Sequence, residues 1–89
     1  MVRIQLVKTS RKFERSYRKL PQIVKDAGKR QEVIFRGNVF DARLDTHKLH
    51  GTDRDAWAFS VNRSYRIKFI FLNGTSVLFL DIGTHDMYS

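Results

Sequence analysis

The chain has 89 residues, enough for one domain around one core and too few for a second, and it holds no cysteine, which excludes disulfides, thiolate nucleophiles and cysteine-based zinc sites. Hydrophobic residues at 42 % and aromatics at 12 % supply a packed interior despite 29 % charged residues, so wholesale disorder is excluded too. The formal net charge is +8 and its whole excess lies early: residues 1–36 carry 11 Lys or Arg against 3 acidic residues, while residues 37–89 carry 6 of each. A field so one-sided fits a polyanionic partner, nucleic acid or acidic protein, or else a helix face charged only for solubility. Met1 to Val7 is too short for the apolar core of a signal peptide, and no segment approaches the roughly 20 apolar residues that cross a bilayer. A reducing, cytoplasmic setting with no membrane partner is therefore expected.

In chain order, Val2, Ile4 and Leu6 alternate with Arg3 and Gln5, which predicts a short half-buried strand. Thr9 or Ser10 can cap a helix in which Phe13, Tyr17 and Leu20 form one apolar stripe against Arg11, Lys12, Arg15, Arg18 and Lys19. Pro21 ends it and suits the start of a second helix, giving a helical hairpin. That helix carries Ile23, Val24, Ala27, Val33 and Ile34, is weakened at Gly28, and stops near Gly37 and Asn38, both tolerant of left-handed backbone. From there to Thr52 no period is sustained, so an ordered connection anchored by Phe40, Leu44 and Leu49 is expected. Three strands follow, Ala56 to Asn62, Tyr65 to Leu72 and Val77 to Ile82, joined by short turns into an antiparallel meander. In the middle strand Ile67, Phe69 and Phe71 point one way and Arg66, Lys68 and Ile70 the other. The order β-α-α-β-β-β makes an α+β domain over residues 1–89, with the helical hairpin on one face of the sheet and cations on the other.

His47, His50 and His85 stand outside apolar runs, and histidine is the side chain best suited to move protons at neutral pH. Two such groups flanking a cation are what metal-free RNA cleavage requires. One deprotonates the 2′-hydroxyl, another protonates the leaving 5′-oxygen, and a positive group steadies the phosphorane. Arg66 is the candidate cation, since its planar fork pairs with phosphate oxygens and a strand holds it firmly; the plainer alternative is a sheet-surface ion pair. Lys48 and Lys68 can assist with phosphates or simply be solvated. Tyr88 and Trp57 can stack on a base, though Trp57 reads more naturally as core. His47-x-x-His50 with Asp45, Asp53 or Asp55 offers metal-ligand types, but the spacing is a weak signal, and neither metal nor cofactor is expected.

Tyr17-Arg18-Lys19-Leu20-Pro21, Leu44-x-x-His47-x-Leu49-x-Gly51, Tyr65-Arg66-Ile67 and Asp81-Ile82-Gly83-Thr84-His85-Asp86-x-Tyr88, in that order, resemble the RelE/ParE superfamily of type II toxin-antitoxin toxins, nearest its YafQ-like and RelE/StbE branches. The resemblance spans essentially the whole chain. It implies the RelE-like fold and an endoribonuclease that enters the ribosomal A site and cuts bound messenger RNA, leaving a cyclic phosphate and a 5′-hydroxyl. It further implies His47 and His85 as catalytic histidines, Arg66 as the transition-state arginine, and an antitoxin that binds the toxin as a hetero-oligomer. Where the YafQ-like pattern has a further histidine and an aspartate this chain has Ser60 and Ser64; the adjacent aromatic is kept as Tyr65, a candidate substrate contact, and His50 is a candidate substitute catalyst. A ParE-like gyrase poison without nuclease chemistry is the alternative that the same resemblance leaves open.

Overall fold

In the computed structural model, which describes residues 1–50 and 55–84, the first strand β1 runs Leu6–Thr9 rather than through Val2 and Ile4. The early alternation marks a segment packed under the end of the second helix instead: Ile4 is buried and donates its N–H to the Arg36 carbonyl, and the Val2 carbonyl accepts from Val39. Pairing with the last strand begins only at Leu6, whose own side chain is exposed.

Ser10, not Thr9, caps helix α1 (Arg11–Arg18). Its Oγ accepts from the Phe13 N–H at 3.0 Å and donates to the Leu80 carbonyl at 2.7 Å, so the residue that starts the helix also fixes it to the sheet. Pro21 begins helix α2 (Gln22–Gly37), its carbonyl accepting from Val24 and Lys25. The helix ends without the left-handed cap expected. Asn38 is extended (φ −162°), and its Oδ1 instead takes the N–H of Phe40, with that of Val2 close by. Ile23 and Val33, expected on the apolar stripe, face solvent; the buried face is Val24, Ala27, Gly28 and Phe35.

The region expected as a plain connection holds a 3₁₀ turn (Ala42–Leu44) and a two-residue strand β2 (His47–Lys48). Strands β3 (Trp57–Ser60), β4 (Tyr65–Asn73) and β5 (Ser76–Thr84) form the expected meander. The sheet thus has five strands in the order β1-β5-β4-β3-β2, mixed because β1 runs parallel to β5. The α+β arrangement stands, with one strand more than the sequence suggested.

The core lies between the helices and one face of the sheet, and Phe35 of α2 sits at its centre. Its ring stacks on Phe59 at 4.5 Å and meets Phe69 and Phe79 edge-on at 5.0 and 5.6 Å. Trp57 joins this layer half-buried, edge-on to Phe40 and Phe71. The other face carries Arg66 and Lys68 with a small apolar cluster of Leu49, Ala56, Ala58 and Ile70.

Candidate active site

Strand pairing decides which candidates meet. Cross-strand partners share a face, so His47–Ala58–Lys68 and Ser60–Arg66–Gly83 place His47, Lys68 and Arg66 together on the face away from the helices. The same alternation turns Lys48, paired with Trp57, to the helix face. Tyr65 also faces the helices and packs against the core. Neither is on the Arg66 face. His50 is exposed beyond the end of β2. His85, Tyr88 and Asp53 lie outside the described residues; β5 is described as far as Thr84, which pairs with Tyr65 beside Arg66.

The contact at the centre is between Arg66 and His47. Arg66 Nη1 lies 2.8 Å from His47 Nε2 and 3.4 Å from Nδ1, while Nδ1 lies 2.9 Å from the Asp45 carbonyl oxygen. A carbonyl only accepts, so the contact to Asp45 calls for the ring hydrogen on Nδ1, which leaves Nε2 unprotonated in the neutral ring, while Arg66 Nη1, close to both ring nitrogens, lies over the ring face rather than along the Nε2 lone pair. The Arg66 side chain is only 15 % exposed, and its other arm, Nη2, stands 3.7 Å from Asp45 Oδ2 in an ion pair. Asp45 ends the 3₁₀ turn, His47 opens β2 at the sheet edge and Arg66 comes from β4 in its middle, so the centre exists only when the three are held together.

The loop that carries Asp45 is held at several points. Asp41 caps the 3₁₀ turn and is gripped by Arg43, whose hydrogen bonds to it pull the carboxylate well below its usual range, to about 2. Leu44 is fully buried, and Thr46 Oγ1 donates to the Val39 carbonyl at 2.6 Å. From α2, the Gln31 amide donates to the Ser60 carbonyl at 2.9 Å and the Arg43 carbonyl at 3.2 Å. Since Ser60 is the register partner of Arg66, Gln31 ties the His47 loop to the Arg66 strand. Sequence reasoning missed Gln31 and saw Asp45 only as a metal-ligand type, because neither a left-handed turn nor a contact across 29 residues leaves a local signature. Among the described residues, no three His, Asp or Glu side chains gather as a metal site would require.

On the opposite face a groove of about 420 Å³ opens between α1 and α2. Its floor is apolar, with Phe13, Ile67, Phe79 and Ile82, and its rim carries Arg18 and Lys29 beside Glu14 and Glu32. Around it Arg11, Lys12, Arg15 and Lys19 of the first helix segment are all exposed. No helix among the described residues is long and apolar enough to cross a membrane.

No family model matches the sequence, and no curated protein matches it. Solved structures do. The chain is similar to one in the Escherichia coli DinJ-YafQ toxin-antitoxin complex, at 15 % identity and TM-score 0.73, covering 98 % of this chain and 97 % of that one. The YoeB/ParE toxin from Agrobacterium tumefaciens superposes with TM-score 0.76 at 9 % identity, over 91 % and 99 % of the two chains. The archaeal RelE-RelB complex from Pyrococcus horikoshii gives TM-score 0.70 at 18 % identity, over 94 % and 96 %. At such identities it is the path of the backbone that is shared, and on that ground the chain has the fold of the RelE/ParE superfamily of type II toxins.

Proposed function

We propose that the chain is a type II toxin acting in the cytoplasm as a ribosome-dependent, metal-independent endoribonuclease on messenger RNA. The observation that carries this is the 2.8 Å approach of Arg66 Nη1 to His47 Nε2, which puts a proton acceptor and a phosphate-binding fork at one point on the sheet face away from the helices.

The chemistry follows from those two groups and a proton donor. A phosphate entering the Arg66 fork accepts hydrogen bonds from its N–H groups beside Nε2 of His47. That nitrogen accepts the proton of the 2′-hydroxyl, and the 2′-oxygen attacks the adjacent phosphorus. The bond from phosphorus to the 5′-oxygen breaks, leaving a 2′,3′-cyclic phosphate, while His85 delivers a proton to the departing oxygen. Arg66 stabilises the charge gathering on the phosphorane. Lys68, on the same face, adds positive potential. The basic surface of α1 supplies non-specific affinity for RNA on the ribosome.

The apolar groove with its mixed-charge rim, set in a basic surface, suits an antitoxin segment that is amphipathic and acidic and folds as it binds. The structural neighbours include complexes of toxin with antitoxin, the DinJ-YafQ and RelE-RelB complexes among them.

The test is incubation with translating ribosomes and a defined message, with and without a chelator, comparing the parent with Arg66→Ala and His85→Ala. Cleavage is expected to ignore the chelator and to fall on the order of 10²-fold or more in either variant. Unchanged cutting in both variants would remove the site assignment. No cutting by the parent would shift the reading to gyrase poisoning.

A further inference from the structure

We propose that Asp45 is the positioning residue of the His47–Arg66 centre, acting on the imidazole through its main chain and on the guanidinium through its carboxylate, a role that deepens the ribonuclease reading and rests on it.

The backbone is the first sign. Asp45 has φ 49° and ψ 43° and is the one described non-glycine residue with positive φ. Side chains rarely adopt this left-handed conformation, and aspartate and asparagine are the ones that tolerate it. Here it ends the 3₁₀ turn and leaves the Asp45 carbonyl facing the ring two residues on, 2.9 Å from His47 Nδ1. With Nδ1 committed as donor, Nε2 is left as the acceptor that general-base chemistry needs.

The carboxylate is the second sign. A guanidinium is planar, so contacts at both terminal nitrogens fix the plane as well as the position. Nη1 is on His47 and Nη2 is beside Asp45 Oδ2. The Asp45 side chain is 71 % exposed, and an ion pair so solvated adds little to stability. What it supplies is direction. The loop has further anchors in Gln31, Thr46 and buried Leu44, none of which involves the Asp45 carboxylate.

Asp45→Asn and Asp45→Gly both tolerate left-handed backbone, so both keep the carbonyl in place and remove the charge. The purified chain and both variants are compared by nitrogen-15 NMR of the histidine rings and arginine guanidinium groups, and by cleavage of a defined message on ribosomes. His47 is expected as the Nδ1–H tautomer in all three. The Arg66 guanidinium signal, protected in the parent, is expected to exchange faster in both variants. Cleavage is expected to lose kcat on the order of 10- to 100-fold with KM unchanged, the pattern of a misaimed reacting group. Asp45→Val cannot hold the positive φ and is expected to move His47 toward the Nε2–H tautomer. An Nε2–H tautomer in the parent would overturn the main-chain role, and unaltered Arg66 exchange in Asp45→Asn and Asp45→Gly would overturn the carboxylate role. These signals are read whether or not the parent cuts RNA, so failure of the ribonuclease reading and failure of the positioning role remain distinguishable.

Discussion

Arg66 is a residue whose charge cannot be exchanged for another of the same sign. Its fork serves His47 with one nitrogen and Asp45 with another, while lysine would offer a single point charge. Arg66→Lys is therefore expected to keep the fold and lose cleavage nearly as far as Arg66→Ala, on the order of 10²-fold, in single-turnover assays. Asp41 gives a pH signature. Its carboxylate is held at about 2 by Arg43, below the ordinary value of 3.8, so the cap it provides is fully present above pH 3.8 and is lost as pH falls through about 2. An acid titration followed at the Arg43 amide should show its midpoint near 2; a midpoint near 3.8 would mean that the pair does not form in solution. At this scale His47 and Arg66 are legible in the sequence, because reactive side chains in a recognisable spacing need no geometry to be noticed. Asp45 and Gln31 are hidden there, since what each does depends on a backbone angle or on a partner far along the chain.

Elements fare differently according to what defines them. Strands β3 to β5 are legible because alternation and two short turns specify a meander locally. Strand β2 is not, because two residues are too few for a period and its pairing to β3 is set by the register of His47 on Ala58. The same register explains why Lys48 and Tyr65, adjacent in sequence to His47 and Arg66, point to the other face. Helix α2 is legible in position and only partly in orientation: of the expected stripe Val24 and Ala27 are buried and Ile34 packs against the core, but Ile23 and Val33 face solvent, while Phe35, outside that stripe, fills the core. Phe35→Ala should cost about 3–5 kcal/mol, a large part of the stability of a domain this size, measured by denaturant unfolding. Gly28 offers the opposite change. It is buried inside α2, and a Cβ there would meet nothing nearer than Val61 Cγ1 at 4.0 Å. Gly28→Ala should raise stability by about 0.5–1 kcal/mol through a stiffer unfolded chain and better helix propensity, seen as a melting temperature higher by several degrees.

The molecule as a whole separates two surfaces. The centre of His47 and Arg66 lies on one face of the sheet, while the apolar groove and the exposed cations of α1 lie with the helices. Removing Arg11 and Arg15 together should therefore weaken RNA binding without touching the chemistry. The slope of log affinity against log salt should flatten by roughly one unit for each phosphate no longer neutralised, while the rate on fully bound substrate stays the same. The early excess of positive charge is plain in the sequence; which side chains share a face of the sheet is not, because faces are assigned by pairing rather than by composition. The most direct measurement is a double-mutant cycle on single-turnover cleavage, using His47→Ala, Arg66→Ala and both together. If the two side chains act on one linkage as a unit, the double variant cuts within a few-fold of the slower single variant. Losses that multiply independently would contradict a shared centre.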